Sequence, residues 1–509
     1  MKNPLILLLA ILAITACTTQ PVKAAEVDYT SDEVINCDTA KYSRLIINSC
    51  LYHFQANTKA AGFAKYDENG TEKAGSESER GFDYVPGLVA KAVLECVDYY
   101  QDSTWAKPWF YSIQAYAEKY YNENHTGGSL DDLNACKLYF GLADLTKTGA
   151  AFADATVAAH CETAKTKALA GLKDHNEKYA ISSSVSHSFT DDDTDETYTG
   201  GWWHKNDYEN QLWLDGQYMG PALLAMMNAE DKNISGSVAD DWVIIMKQFN
   251  MCWNRLWDSE KKLLYHAFSA TPSSDQTKIW ADQTGTYATN SHYGVSPEFW
   301  GRSVGWYFFA LVDILEQMDK AGKKDDADYK ELKRQLETVA DGLLARQDET
   351  TGCWCQLLQY GNGVKPEGCS TANYVESSAT AIFVSTLLKG MRLGYLDRAK
   401  YEDAAKKGYH GFLKQFLRKS IGDGNAYGLI HNCRSAGLSN ADKDSEDRDG
   451  SAAYYLAEKG KKDTQQSNDY TEGKVLGAFI LAATEYERAY LKPRTTGDLS
   501  CNCLKVALQ

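Results

Sequence analysis

Apolar residues recur along most of this chain at intervals of three and four. Between Val304 and Met318 they fall at Val304, Phe308, Leu311, Leu315 and Met318, one stripe along one side of a helix. Between Ser377 and Gly394, Ile382, Phe383, Thr386 and Leu387 share a side. The small residues Ser378, Ala381 and Ser385 lie between them, so neighbouring helices can approach on more than one face. Strand-like alternation is rare, and no Gly-rich nucleotide loop follows a strand. The pattern predicts helices over about 39–58, 87–101, 105–122, 130–146, 151–174, 215–229, 239–257, 302–320, 327–347, 375–394, 398–418 and 472–491. They come largely in pairs whose members alternate in character: 375–394 is apolar and rich in small residues, whereas 398–418 carries Lys and Asp at many positions. Such alternation fits the inner and outer helices of a closed ring. The predicted fold is all-α, an (α/α)6 toroid of six hairpins, formed as one domain over 26–509 after a leader at 1–25. An open solenoid would also pair its helices, but the chain has no fixed repeat length.

Long polar loops interrupt the helices at 66–82, 181–203, 269–298 and 421–470, a length that marks function or disorder. The run Asp191-Asp192-Asp193 lacks the ligand spacing of a calcium loop and reads as solvated.

Composition adds an aromatic bias, with 12 Trp, 32 Tyr and only 9 Pro. A dense aromatic core accounts for it as well as a sugar-stacking cleft does. The formal charge of −16 argues against nucleic acid as a partner. An anionic sugar stays open, since one or two placed cations bind a carboxylate inside an acidic protein. Lys2, the apolar run Leu5 to Ile14 and Ile14-Thr15-Ala16-Cys17 read as an export signal ending in a lipobox. That predicts a lipid on Cys17, a periplasmic or outer-membrane location, and membrane attachment through the lipid alone. An ordinary cleaved signal would end after Ala16 or near Ala24-Ala25. Several of the twelve cysteines after Cys17 are expected as buried free thiols, and no four ligands converge with zinc-site spacing. No metal or other cofactor is expected.

The most informative segment is His204-Lys205 followed by Asn210-Gln211-Leu212-Trp213-Leu214-Asp215-Gly216-Gln217-Tyr218-Met219. Pro221 disfavours an unbroken helix through 217–221, which places Asp215 in the first turn of an inner helix, facing the cleft. A helix start lowers a carboxyl pKa. A general acid needs the reverse, which aromatic burial or a second carboxylate would supply. An N-cap aspartate fits the pattern equally well.

This segment resembles the active-site stretch of glycoside hydrolase family 105, the unsaturated rhamnogalacturonyl and glucuronyl hydrolases related to family 88. Further segments are similar in the same order. They are Phe82-Asp-Tyr84-Val-Pro-Gly87, Leu130-Asp131-Asp132-Leu-Asn134, Leu264-Tyr265-His266, Phe299-Trp300-Gly-Arg302-Ser-Val-Gly305-Trp306-Tyr307, and Glu376-Ser-Ser with Lys389-Gly-Met-Arg-Leu-Gly394-Tyr395-Leu396. The similarity runs from about residue 82 to 397. Two departures stand out: Gly352-Cys-Trp-Cys-Gln356 where the family often has Gly-Leu-Trp-Tyr-Gln, and Ser303-Val304 where it has a small residue and Asn.

The resemblance implies the six-hairpin fold and a substrate made by a polysaccharide lyase, with a C4=C5 double bond in its terminal uronic ring. Asp215 would protonate C4 and then activate the water that attacks C5. Asp131 would be the second acidic residue, holding water or raising the Asp215 pKa, with Asp132 its rival one position on. Arg302 would bind the uronate carboxylate, Trp300 and Trp306 would stack on sugar rings, and Tyr84 would line the cleft. His204 and His266 would bind hydroxyls or orient Asp215. For each a structural role competes: a helix cap, an ion pair, a core aromatic, a satisfied histidine. Two other functions compete as well. One is a non-catalytic outer-membrane glycan-binding lipoprotein. The other is an (α/α) glycosidase using two carboxylates on a saturated sugar.

Overall fold

The computed structural model describes residues 27–56, 59, 60, 62–74, 81–189, 197–282, 292–419, 426–439, 448–459 and 464–492. The leader with Cys17, the run Asp191 to Asp193 and the pair Cys501 and Cys503 lie outside the described residues. Setting aside single turns, the helices in chain order are α1 (Tyr42–Cys50), α2 (Tyr84–Tyr100), α3 (Ser103–Tyr120), α4 (Leu130–Ala135), α5 (Leu138–Thr146), α6 (Ala155–Lys178) and α7 (Leu214–Met219). They continue with α8 (Pro221–Asn228), α9 (Val238–Leu256), α10 (Gly301–Lys320), α11 (Ala327–Leu344), α12 (Ser377–Arg392), α13 (Arg398–Phe416) and α14 (Gly473–Tyr490).

The helices form two concentric rings. Inside, α2 packs on α4 and α5, α4 on α7, α7 and α8 on α10, α10 on α12, α12 on α14, and α14 back on α2. Outside, α3, α6, α9, α11 and α13 each cover the inner helix that precedes them, and α1 covers α14. The first helix thus completes the hairpin of the last, which closes the toroid and leaves no inner face bare. The inner helices are buried almost all round: every residue of α12 except Lys389 and Arg392 is buried. Glycines let them approach. A Cβ on Gly305 would stand 2.9 Å from Ile382 of α12, and one on Gly477 would stand 2.7 Å from Leu88 of α2.

Every predicted helix has a counterpart, and the differences have local causes. The first is shorter than 39–58, covering Tyr42–Cys50 only. The second starts earlier than 87 because Asp83 caps it, accepting from the Val85 amide at 2.7 Å; Pro86 is tolerated in the first turn. The fifth starts at Ala155 because Asp154 accepts from the amides of Thr156 and Val157. The stretch 130–146 breaks at Cys136 and Lys137. There the buried Lys137 ammonium lies 3.4 Å from the ring centre of Tyr218, whose carbonyl it also donates to. Pro221 breaks the stretch 215–229 after Gly220, as its missing amide predicts.

Nine described cysteines are free and all but Cys369 are buried, the state expected of several; Cys37 is disulfide-bonded. Among the described residues no helix is long and apolar enough to cross a membrane.

Candidate active site

All six inner positions of the ring point their N-terminal ends the same way, and the predicted site residues sit there. Tyr84 opens α2, Asp131 lies in the first turn of α4, Asp215 in that of α7 and Arg302 in that of α10. The positive ends of these dipoles lie at one mouth, where Lys205, Arg302 and Arg448 stand among the carboxyls of Asp83, Asp131, Asp132 and Asp215.

A small antiparallel ribbon brings Asp215 and His266 together. Strand β1 (Gln211–Trp213) pairs with β2 (Ala267–Ser269), with Trp213 opposite Ala267. Asn210 turns the chain into β1 with φ 57°, a conformation asparagine tolerates better than most residues. The Leu214 amide then donates to the His266 carbonyl at 3.1 Å. His266 Nε2 lies 3.3 Å from Oδ2 of Asp215, close but not aligned as a hydrogen bond. On its other side, His266 Nδ1 is 2.6 Å from the hydroxyl of the buried Tyr455. Ser303 donates to the same Oδ2 at 2.5 Å.

Asp215 is not a cap, since Trp213 holds the N-cap position without a side-chain bond. Neither is Asp131, because Ser129 caps α4. Asp131 is 7% exposed and bound by Lys205 at 2.5 Å and His204 Nε2 at 3.4 Å. Asp132, one residue on, is more exposed and is pushed up to about 6, by partial burial first and then by the charge of Asp131.

These residues line a cavity of about 230 Å³. Tyr84, Asp131, His204, Asp215, Trp300, Arg302 and Trp306 all face it, joined by Lys205, Tyr208, Trp213 and Arg448. His266 does not line it; it backs Asp215 from behind. A larger cavity of about 830 Å³ opens at the opposite end of the ring. Its main charges neutralise one another, with Lys389 at 2.7 Å from Asp313 and from Glu316, and Arg392 gripping Glu485 with two bonds of 2.7 Å. The free chemistry is at the N-terminal mouth.

Two expectations need correction. The Asp215 carboxyl is lowered rather than raised. Burial alone would push the Asp215 carboxyl up, but His266, His204 and the Ser303 hydroxyl outweigh it and hold the carboxyl below the ordinary aspartate range. Trp300 and Trp306 are floor rather than free platforms. Trp306 is stacked on Tyr218 at 5.1 Å, and Trp300 on Tyr455 at 5.9 Å with its Nε1 bonded to Gln356. The stack nearest the mouth is instead His204–Trp213–Tyr208, with centroids 5.1 and 4.7 Å apart. Arg302 lines the cavity as expected, with one nitrogen spent on the protein: Nη1 donates to the Cys433 carbonyl at 2.6 Å and to Ser378 at 3.1 Å.

A family model, that of Glycosyl Hydrolase Family 88, matches residues 58–490. The chain belongs to Glycosyl Hydrolase Family 88. A solved structure of a glycoside hydrolase from family 105 of C. acetobutylicum ATCC 824 is 26% identical, with a TM-score of 0.62, covering 88% of this chain and 100% of that one. Protein Atu3128 of Agrobacterium fabrum is 33% identical over 174 residues, 33% of this chain and 66% of that protein. The unsaturated 3S-rhamnoglycuronyl hydrolase of Formosa agariphila is 26% identical over 219 residues, 42% of this chain and 48% of that enzyme. The chain thus spans just under two thirds of the first of these relatives and about half of the second.

Sequence reasoning missed three contributors to this hydrolase's site. Tyr455 and Arg448 arrive on the long 421–470 loop, whose length was the one signal. Ser303 lay inside the Arg302-Ser303-Val304 stretch, but nothing in that stretch pointed to a contact with Asp215.

Proposed function

We propose that this family 88 hydrolase removes the terminal Δ4,5-unsaturated uronic acid from oligosaccharides left by polysaccharide lyases. The observation that carries this is the Asp215 carboxyl, which faces the cavity beside Arg302 and is held by Ser303 and His266. Asp131, on the same cavity, is tied to Lys205 at 2.5 Å, and Asp83 and Asp132 line it as well. Hydration of an enol ether needs one carboxyl as acid and base, where a hydrolase of saturated sugars needs two flanking the glycosidic bond. The Formosa agariphila relative, an unsaturated 3S-rhamnoglycuronyl hydrolase by name, supports the same reading.

The substrate carboxylate seats among the convergent helix N-termini, on the nitrogens Arg302 leaves available. Asp215 is ionised before substrate binds, as its neighbours dictate. The incoming uronate adds a negative charge and expels water, both of which favour the protonated carboxyl, so Asp215 takes up a proton from solvent as the substrate binds and enters the reaction protonated. The C4=C5 electron pair takes the Asp215 proton, forming a C4–H bond and a cation shared by C5 and the ring oxygen. Water adds its oxygen to C5 and returns a proton to Asp215. The resulting hemiketal opens and the neighbouring sugar leaves. Lys205 and His204 hold the Asp131 side chain in place at the cavity wall.

The test is loss of the ultraviolet absorbance of the conjugated uronate when protein is added to lyase-generated oligosaccharides. Wild type should bleach it, and Asp215→Asn should be slower by a factor of roughly 10³ or more. No bleaching of any lyase product, with release of reducing sugar from saturated chains, would leave the two-carboxylate glycosidase. We also propose export with a lipid on Cys17, supported by the Leu5 to Cys17 sequence. Metabolic labelling with palmitate should mark the protein, and Cys17→Ser should abolish the label.

A further inference from the structure

The Asp215 carboxyl is held from one side. Every contact it makes among the described residues goes to Oδ2: Ser303 Oγ at 2.5 Å and His266 Nε2 at 3.3 Å. Oδ1 is the oxygen left for the cavity. Ser303 is fully buried in the first turn of α10, directly after Arg302, which lines the same cavity. Behind His266, the fully buried Tyr455 reaches Nδ1 at 2.6 Å. A hydroxyl has one proton to give. With Ser303 donating to Oδ2, a proton arriving on Oδ2 would force the buried hydroxyl to turn and give up that bond. Protonation of Oδ1 disturbs neither contact.

We propose that Ser303 is a positioning residue of this hydrolase: its hydroxyl pins Oδ2 of Asp215, so that Oδ1 alone carries the proton delivered to the sugar. The proposal rests on the reaction given above and assigns the reacting oxygen. Oδ1 gives its proton as the C4=C5 pair forms the C4–H bond. The water that adds to C5 then returns a proton to Oδ1, so the carboxyl ends as it began.

Asp215 has several charged or titratable neighbours: His266 with Tyr455 behind it, His204 beside it, and Arg302, Asp131 and Lys205 around the cavity. None of them changes in Ser303→Ala, so the effect of the hydroxyl can be isolated. Removing it takes one donor from the ionised form, so Asp215 should bind its proton about tenfold more tightly.

The first readout needs no turnover. Infrared difference spectra recorded across pH, with Asp215→Asn as the reference that removes all other carboxyls, follow the Asp215 titration. In Ser303→Ala the titration should move up by about one pH unit, and Ser303→Thr should return it toward wild type. The second readout is kcat against pH on an unsaturated disaccharide. Its alkaline limb should move the same way in Ser303→Ala, with KM changed less than about threefold. Tyr455→Phe, two residues removed from Oδ2, gives a second variant. It should lower kcat by roughly tenfold while leaving the Ser303-dependent shift in place. An Asp215 titration identical in wild type and Ser303→Ala would overturn the proposal. If the titration moves but wild type bleaches no lyase product, the reaction falls and the pinning of Oδ2 stands.

Discussion

Arg302 illustrates how one side chain can carry two duties. Its Nη1 ties the loop carbonyl of Cys433 to Ser378 of α12, and its guanidinium also faces the cavity. A lysine can carry the charge but not the fork. Arg302→Lys should therefore raise KM for unsaturated substrates roughly tenfold or more. It should also lower Tm by a few degrees, because the buried Cys433 carbonyl loses its donor. A change in KM with no change in Tm would mean that the protein-side bonds matter little. Asp215 was legible in the sequence as a residue, through its place between Leu214 and Gly216. Its ionisation was not: the sign depended on His266, about fifty positions away in the chain, and on Ser303, farther still.

At the scale of elements, the ring depends on close helix contacts. Gly305 has no room for a side chain against Ile382. Gly305→Val should cost about 1–3 kcal/mol, read as a lowered denaturation midpoint in urea. Loss of activity at unchanged stability would instead place Gly305 in the site. The inner helices were readable because both their faces carry apolar or small residues, whereas outer helices such as α13 show one buried stripe. Helix ends were less readable. Asp83 and Asp154 moved boundaries by three or four residues, since a cap is a single bond and leaves no periodic trace. The ribbon of β1 and β2 was missed: a three-residue strand is too short to alternate visibly, and its partner lies far along the chain.

At the scale of the whole molecule, closure depends on α1 against α14. Glu487 of α14, buried, accepts from the Ser43 amide and hydroxyl at 2.7 and 2.5 Å and from the Tyr100 hydroxyl at 2.5 Å. Burial pushes its carboxyl up to about 7 in spite of these donors. The folded state therefore binds this proton more tightly than the unfolded chain does. The contribution is full below the ordinary glutamate range near 4.5 and is lost as pH rises through about 7. Glu487→Gln, neutral at every pH, should show a smaller fall in Tm between about pH 5 and pH 8 than wild type. An equal fall would mean that Glu487 is ionised in the folded protein throughout.

The sequence by itself determined what is local or periodic. The 3-and-4 spacing gave the helices, the alternation of apolar and charged helices gave two rings, Pro221 gave the break after Asp215, and ordered short motifs gave the family. The tertiary structure decided what depends on neighbours distant in the chain. It placed His266, His204 and Ser303 around Asp215, so that the carboxyl is lowered in spite of its burial. It turned Trp300 and Trp306 into a packed floor and brought Tyr455 behind His266. Periodicity follows from backbone geometry, which every residue shares. Charge state and exposure follow from which side chains the closed ring brings within a few ångströms, and that is set only when the last inner helix meets the first.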